Sequence, residues 1–385
     1  MFGVIDIGSN TIRLSLYKNV DNIVEPMMNK KRVAGLASYV DDNNIMTQKG
    51  IEKAVSVLNE YNKVIEAVGV KKVFVFATAS LRNIDNTKEV LKTIEEQTGM
   101  NVNVLSGEEE GYYDFVGATQ KTNIDEGIIM DIGGGSTELT FVRDKKIEKV
   151  VSIPMGSLNT YRKYVKNLIP TKNEEKKIKQ SIVNELEKIT LPDMEFKYTE
   201  AYGIGGSIRG AFKLNRDFFE LDNNEQRLER KSIKRLINIF EDKPHIAVSE
   251  ILEVVPDRIH TVLTGMIMLK TIMKFYGCKT VELCKWGVRE GYLIDNIKKE
   301  KKYIKEDANK QKVKSDIVEK ETELERKDTN SDIAQKNINE LKNSEKNKKI
   351  EKNSTKELGD NVKNQESNSE VLKDNIKIVK DNGKK

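Results

Sequence analysis

Three glycine-rich segments of the chain carry the residue types that bind phosphate: residues 131–136 (DIGGGS), 6–10 (DIGSN) and 203–207 (GIGGS). Glycine tolerates positive φ and lets a ligand approach the main chain, so that successive N–H groups converge on an anion. Residues suited to a helix follow the third segment, which therefore offers a helix N-terminus to an anion. The predicted phosphate-binding residues are Ser9, Asn10, Gly133, Gly134, Gly135, Ser136, Gly205, Gly206 and Ser207.

The segment around residue 131 has the pattern of a strand, a glycine turn and a second strand. Apolar residues 128–130 precede the turn, and residues 137–142 (TELTFV) alternate and are rich in β-branched and aromatic types. A P-loop or a dinucleotide-binding loop would open a helix here, and neither sequence signature is present. An ordinary glycine-rich hairpin is the alternative. Because the pattern recurs at residues 4–16, we expect two facing hairpins that hold a phosphate between them.

Acidic residues beside these turns predict a cation site. Asp6 and Asp131 end the first strand of each hairpin, and Glu138 lies in the strand after the second turn. Carboxylates next to a phosphate suit a hard cation such as Mg²⁺. Because the chain contains only two histidines, His245 and His260, we do not expect a histidine-rich transition-metal site.

Two further features carry groups suited to phosphoryl transfer to water. Arg82 follows a strand-like apolar run and is a candidate phosphate clamp; a solvated helix residue is an equal alternative. Glu108, Glu109 and Glu110 come at a predicted helix start. They either complement the helix dipole, or one of them orients or deprotonates water with a pKa raised by its neighbours. These residues by themselves do not distinguish the three glutamates.

The rest of the pattern predicts an α/β protein in two halves, because strand-like and helical segments alternate. Helical patterns cover residues 48–68 and 225–241, and a wide apolar stripe runs from Pro256 to about Tyr276. We expect one domain at residues 1–124, a second at 125–298, and a closing helix at about 289–298 that packs back on the first.

The composition changes from about residue 299 onward. Residues 301–385 contain 22 Lys+Arg and 18 Asp+Glu, no proline, and Tyr303 as their one aromatic residue. Such a segment buries too little apolar surface to offset its ordering entropy, so residues 299–385 are predicted to be a disordered tail. Its mixed charges and lack of aromatics argue against nucleic-acid binding.

The location predicted from the sequence is the cytoplasm. The chain contains no apolar run long enough to cross a membrane, and its N-terminus enters a strand at once, so neither a membrane span nor a signal peptide is expected. Cys278 and Cys284 are expected to be reduced core residues.

The first 300 residues resemble the exopolyphosphatase / guanosine pentaphosphate phosphatase (Ppx/GppA) family. The matching segments, in order, are VIDIGSNTIRLSLY, ATASLRN, LSGEEEGYYDFVG, IIMDIGGGSTELTFV, MGSLN, YGIGGSIRG and WGVREGYLID. The resemblance implies two actin-like (ribonuclease H-like) ATPase-type domains with the active site in the cleft between them. It also implies a homodimer and metal-dependent removal of a terminal phosphate from polyphosphate or from guanosine pentaphosphate (pppGpp).

The resemblance also assigns roles that the spacing left open. The family's catalytic base falls on Glu110, its clamp arginine on Arg82, and its metal and phosphate positions on Asp131 and Glu138. The chain departs from the family in lacking the extra C-terminal helical domains of long members, and in having Gly111 where many members have alanine. We therefore expect a short two-domain exopolyphosphatase that uses Mg²⁺ or another divalent cation.

Two alternative functions accompany this prediction. A pppGpp 5′-phosphohydrolase would use the same apparatus with a base-binding surface, although no feature of the sequence indicates a guanine pocket. A non-catalytic sensor of polyphosphate or an alarmone is an alternative from another class. The presence of Glu110, Asp131 and Glu138 argues against a sensor, because a protein that only binds has no need of a catalytic base.

Overall fold

Two β-sheets with helices packed against them form the framework of the protein, described here from a computed structural model. The structure describes residues 1–20, 23–191, 197–222 and 225–300, so the predicted tail lies outside the described residues from position 301 onward. Residues 1–295 form one compact unit.

The first half alternates strands and helices, as the sequence predicts. The elements are β1 (Phe2–Ile7), β2 (Thr11–Val20), β3 (Ile23–Val33), α1 (Gln48–Val68), β4 (Lys72–Ala77), α2 (Ala79–Arg82), α3 (Thr87–Thr98), β5 (Asn103–Val104) and α4 (Gly107–Ala118). The strands form a sheet in the order β3-β2-β1-β4-β5, in which β1 pairs antiparallel with β2 and parallel with β4.

The second half repeats this plan. Its elements are β6 (Gly127–Ile132), β7 (Thr137–Arg143), β8 (Lys146–Ile153), α5 (Ser157–Tyr164), α6 (Lys172–Leu186), β9 (Ala201–Ile204), α7 (Gly205–Phe218), β10 (Arg227–Glu229), α8 (Arg230–Asp242), α9 (Pro244–Val254), α10 (Val262–Phe275) and β11 (Thr280–Leu283). The sheet order is β10-β11-β9-β6-β7-β8. Read from β8, its first five strands follow the order of the first sheet, with an antiparallel hairpin and then parallel strands. This repetition confirms the predicted α/β class with two actin-like halves.

Each sheet has its own hydrophobic core. One face of α1, including Ile51, Leu58 and Tyr61, packs with residues of the first hairpin. In the second half α10 is enclosed, and all residues from Val262 to Met273 are buried. Its methionines are therefore core residues, as predicted.

The structure corrects two predicted helix starts. Residues 227–229 form β10, where Leu228 is buried opposite Val281 of β11, so α8 begins at Arg230 and not at residue 225. A 3₁₀ turn occupies Pro256–Arg258, and α10 begins at Val262. At β10, a strand pairing with a distant part of the chain occupies the residues that were predicted to begin the helix.

A helical segment over residues 288–300 closes the described part of the chain. The ring of Tyr292 lies 4.9 Å from that of Phe76, and Tyr17 donates to Glu290 at 2.6 Å. These contacts join the start of the closing helix to the first sheet. The domain boundaries near residues 124 and 298 stay predictions.

Among the described residues, no helix has the length and apolar character that a membrane span requires. Cys278 and Cys284 are both buried and free, as the sequence predicts.

Candidate active site

The glycine turns of the two hairpins have the same internal hydrogen bond and face each other. Gly8 N donates to Thr11 O at 3.0 Å, and Gly133 N donates to Ser136 O at 3.0 Å. A Cβ atom at Gly135 would lie 2.8 Å from Ser9 Oγ in the opposite turn. That distance is shorter than van der Waals contact, so the close approach of the two turns requires glycine at position 135.

The N-terminus of α5 orients the main chain of the second turn. Ser157 N donates to Gly133 O at 2.8 Å, and Leu158 N donates to Gly134 O at 2.9 Å. The C=O and N–H of a trans peptide point in opposite directions. The N–H groups of Gly134 and Gly135 are therefore directed away from α5, the orientation needed to bind an anion.

The third glycine segment begins α7 and brings two charged side chains close to the main chain. Gly205 has φ +85°, and a Cβ there would lie 2.1 Å from Asp131 Oδ1. A Cβ at Gly206 would lie 1.7 Å from Arg258 Nη2. The two glycines thus allow Asp131 and Arg258 to lie directly against the start of the helix.

All nine predicted phosphate-binding residues line one cavity of about 130 Å³. Asp6, Glu110 and Asp131 line it as well. Arg82 donates hydrogen bonds to Glu110 and Ser136, which line the cavity, and it also donates to Glu138. The structure therefore brings together the candidate residues chosen from separate parts of the sequence.

The three adjacent glutamates have different environments. Ser106 N donates to Glu109 Oε2 at 2.8 Å and Ser106 Oγ accepts from Glu109 N at 3.1 Å, so Glu109 forms the capping box of α4. Glu108 is exposed, whereas Glu110 is buried and lines the cavity. Local geometry thus separates Glu110 from its two neighbours.

Glu110 is held by Arg82. Arg82 Nη1 donates to Glu110 Oε2 at 2.8 Å and to Leu105 O at 3.0 Å, and its Nη2 donates to Ser136 Oγ at 3.2 Å. Burial, and then the charge of Glu138, raise the pKa of Glu110 well above its ordinary value, while Arg82 acts in the opposite direction. The guanidinium is engaged by these protein groups, and its role as a phosphate clamp stays a prediction.

Asp131 and Glu138 are directly opposite each other in the β6–β7 ladder. Glu138 Oε1 accepts from Ser152 Oγ at 2.8 Å and from Arg82 Nη2 at 3.4 Å. Burial raises the pKa of Asp131 to about 6; burial, followed by the charge of Asp131, raises that of Glu138 to about 7. Within the described chain Glu138 Oε2 is buried and has no hydrogen-bond partner.

These two carboxylates fit a magnesium ion. Mg²⁺ keeps several waters and is commonly held by one or two carboxylates together with substrate phosphates. Among the described residues no group of three or more His, Cys, Asp or Glu side chains is close enough to hold a metal. Asp6, the third predicted ligand, faces Arg289, whose Nη1 lies 3.7 Å from Asp6 Oδ2. The free oxygen of Glu138 therefore supports a site of two carboxylates.

Four arginines that the sequence analysis did not single out also line the cavity: Arg13, Arg209, Arg258 and Arg289. Arg13 donates to the neutral side chain of Asn29 at 2.9 Å, and Arg209 donates to Lys285 O at 3.3 Å. Burial, and then the nearby Arg289, lower the pKa of Arg13 to about 10. An anion bound in the cavity would reduce the repulsion between these arginines.

Some of these arginines had a signal in the sequence. Arg13 lies on the polar face of an alternating strand, and Arg209 and Arg289 fall within segments that match the family. Arg258 had no such signal.

A model of the Ppx/GppA phosphatase family matches residues 15–300. The chain belongs to the Ppx/GppA phosphatase family. Family membership confirms the resemblance seen in the sequence. It also confirms the prediction of a hydrolase that acts on phosphoanhydride bonds.

Similar proteins support the same assignment. Exopolyphosphatase 1 of Mycobacterium tuberculosis is 24% identical over 77% of this chain and 88% of its own length. A bifunctional 3-dehydroquinate synthase/phosphatase of Fusobacterium nucleatum is 28% identical over 71% of this chain and 43% of its own length.

Solved structures have the same fold. The Ppx/GppA family member of Aquifex aeolicus has a TM-score of 0.64 and 27% identity, covering 78% of this chain and 98% of its own. An exopolyphosphatase from Cytophaga hutchinsonii has a TM-score of 0.68 at 18% identity, with 77% and 98% covered, and supports the fold alone.

Proposed function

We propose that the protein is an exopolyphosphatase, which hydrolyses the terminal phosphoanhydride bond of inorganic polyphosphate. The observation that carries the proposal is a cavity lined by two buried carboxylates, Glu110 and Asp131, together with glycine turns and four arginines. The turns suit a terminal phosphate, and the arginines suit the phosphates that follow it.

The chemistry of the cavity wall favours an inorganic chain over a nucleotide. None of the described lining residues is aromatic, so this wall has no aromatic ring on which a guanine base would stack. The name of the Mycobacterium tuberculosis relative favours the same substrate.

In the proposed reaction a water molecule attacks the terminal phosphorus, and the bond from phosphorus to the bridging oxygen breaks. Glu110 accepts the proton of the water, and the shortened chain leaves with the bridging oxygen. A carboxylate with a raised pKa is suited to this task near neutral pH. Arg82 orients Glu110, and the N–H groups of Gly134 and Gly135 bind the oxygens of the transferred group.

Asp131 and Glu138 are the proposed ligands of a divalent cation. Such an ion supplies charge neutralisation on the phosphate oxygens. A cytoplasmic location, predicted from the sequence, and a homodimer, implied by the family resemblance, remain part of the same proposal.

The test is phosphate release by the full-length protein with Mg²⁺ and with EDTA. Long-chain polyphosphate, tripolyphosphate and pppGpp are compared at equal phosphate concentration. We expect kcat/KM for polyphosphate to exceed that for pppGpp by about tenfold or more, and to be lost in EDTA. A preference for pppGpp would replace the proposed substrate. Binding without release from any of the three would instead indicate a sensor.

A further inference from the structure

A second cavity lies outside the active site, in the groove between α6, α8 and α10. Its volume is about 510 Å³. Among the described residues that line it none is acidic, and six are cations: Lys179, Arg230, Lys231, Lys234, Lys270 and Lys274. We call this cavity the basic groove.

Most of this positive charge has no partner within the described chain. Glu175 Oε1 accepts from Lys270 Nζ and from Lys179 Nζ, both at 2.6 Å. In the part of the chain that the structure describes, no ion pair engages Arg230 or Lys231, and none engages Lys234 or Lys274. Arg230 Nε is buried there without a hydrogen-bond partner.

Two cations of the groove lie at the start of α8, where a helix disfavours positive charge. Arg230 and Lys231 are the first two residues of α8, and its first turn contains no acid. The N-terminus of a helix carries a partial positive charge, where acids stabilise and cations destabilise. A helix dipole alone explains Lys274, in the last turn of α10, but it does not explain Arg230 and Lys231.

Buried groups next to the groove reduce this positive charge only in part. Glu175 is already shared between two lysines. Burial, and then the charge of Glu175, raise the pKa of Glu241 to about 7, so this carboxyl is only partly ionised at neutral pH. The six cations of the groove therefore outnumber the two buried carboxylates beside them.

The basic groove is well separated from the active site. Thr261, just before α10, lines the active-site cavity, while Lys274 and Phe275 at the end of α10 line the groove. Lys270, the first residue of α10 that lines the groove, follows Thr261 by nine residues, which is about 14 Å at 1.5 Å per residue. A ligand in the groove therefore does not occupy the catalytic cavity unless it is a long polymer.

We propose that the basic groove is a second anion-binding site, which takes a phosphate-rich ligand. Several cations around one concave site favour a ligand with several adjacent negative charges over a single carboxylate or chloride. Two sources have this chemistry: an inorganic polyphosphate chain, and a nucleoside polyphosphate whose base packs on Phe275, which is 42% exposed. The proposal concerns binding and does not depend on the reaction in the active site.

The test is a titration of the full-length chain carrying Glu110→Gln, to slow hydrolysis, with free phosphate monitored. The probes are long-chain polyphosphate, tripolyphosphate and ATP. The groove variant is Lys231→Glu/Lys234→Glu, and it is expected to fold because an acid at position 231 complements the dipole of α8. Lys53→Glu/Lys63→Glu, on exposed positions of α1, gives the same change in net charge away from the groove.

We expect the protein to show two classes of site. The groove variant weakens one class by about tenfold or more and leaves the other within about twofold. The α1 variant keeps both classes, and Arg13→Gln weakens the class that the groove variant leaves intact. If the groove variant binds every probe as the α1 variant does, the proposal is overturned.

The source of the ligand follows from Phe275→Ala. If this substitution weakens ATP and leaves inorganic chains unaffected, the groove takes a nucleoside polyphosphate. If inorganic chains bind the groove and Phe275→Ala has no effect, the ligand is polyphosphate. Failure of all three probes to occupy the groove contradicts the proposal whichever substrate the active site hydrolyses.

Discussion

The two hairpins have the same backbone plan but carry different charges at one equivalent pair of positions. In the first hairpin Asp6 is opposite Arg13, and in the second Asp131 is opposite Glu138. The turns between them close with equivalent hydrogen bonds. The first pair combines an acid with a base, whereas the second concentrates two carboxylates. One duplicated unit thus contributes charge suited to holding an anion, and the other contributes ligands suited to a cation.

The surroundings reinforce this difference. Asp6 faces Arg289, while Asp131 and Glu138 lie near Glu110. Carboxylates that raise each other's pKa are a feature of catalytic sites, because they are arranged to share protons or metal ions. We infer that the first hairpin mainly binds substrate and the second mainly supports the chemical step.

The sharpest test of that division is Asp131→Asn. Loss of one ligand from a site of two carboxylates should lower kcat by about 10³-fold. Asp6→Asn, at the equivalent position, should act mainly on KM. Steady-state rates of phosphate release at varied Mg²⁺ concentration measure both. Equal losses of kcat in the two variants would show that the hairpins are not specialised.

Gly135→Ala tests the contact between the two turns. The added Cβ would meet Ser9 Oγ at 2.8 Å and Ala79 Cβ at 3.1 Å, so the turns must separate. A displacement of this kind should lower kcat/KM by about 100-fold. Gly99→Ala is the matched control, because its Cβ meets nothing within 4 Å although its φ of +68° strains the backbone. Full turnover by Gly135→Ala would rule out a requirement for close approach.

Arg13→Gln addresses the binding role of the first hairpin. Removing one cation from the cavity should raise KM for polyphosphate by about tenfold, with kcat within about threefold of the wild type. Arg32→Gln is the control, because Arg32 lies on the neighbouring strand and pairs with Glu60 in an exposed ion pair. A fall in kcat without a change in KM would place Arg13 in the chemical step instead.

The smallest expected effect is on the pH dependence of stability in EDTA. The pKa values of Asp131 and Glu138 are raised to about 6 and about 7, so the folded state binds their protons more tightly than the unfolded state does. Their contribution to stability is complete below about pH 4 and is lost as the pH rises to about 7. As the pH rises from about 4 to about 7, the Tm of Glu138→Gln should therefore increase relative to that of the wild type by roughly 4 °C.

Thermal unfolding of both proteins across this pH range measures that difference. Glu108→Gln should follow the wild type, because Glu108 is exposed. Parallel curves for Glu138→Gln and the wild type would mean that the folded state does not raise the pKa of Glu138.

The sequence predicted the strongly local parts of this arrangement. Short segments contain both glycine turns, their flanking strands and the carboxylates beside the turns. All of these features were found from composition and alternation. Glu110 was distinguished from Glu108 and Glu109 by family resemblance, and the structure supplies a physical reason through the capping box at Glu109.

Features that depend on tertiary contacts were not predicted. Arg258 lies in a 3₁₀ turn that the sequence analysis assigned to a long helix, and its place in the cavity depends on the missing side chain of Gly206. Arg82 was predicted to clamp phosphate, which stays a prediction, but its hydrogen bonds to Leu105 and Glu110 in one segment and to Ser136 in another were not predicted. No local pattern encodes such contacts between distant segments.

The central claim is that Glu110 is the base for hydrolysis of polyphosphate, and comparison with its exposed neighbour tests it most directly. Phosphate release from long-chain polyphosphate is measured for the wild type, Glu110→Gln and Glu108→Gln, with binding of the chain measured in parallel. The account predicts that Glu110→Gln lowers kcat by about 10²–10⁴-fold while binding is retained, and that Glu108→Gln is unaffected. Turnover by Glu110→Gln at the wild-type rate, or loss of binding as large as the loss of turnover, would contradict it.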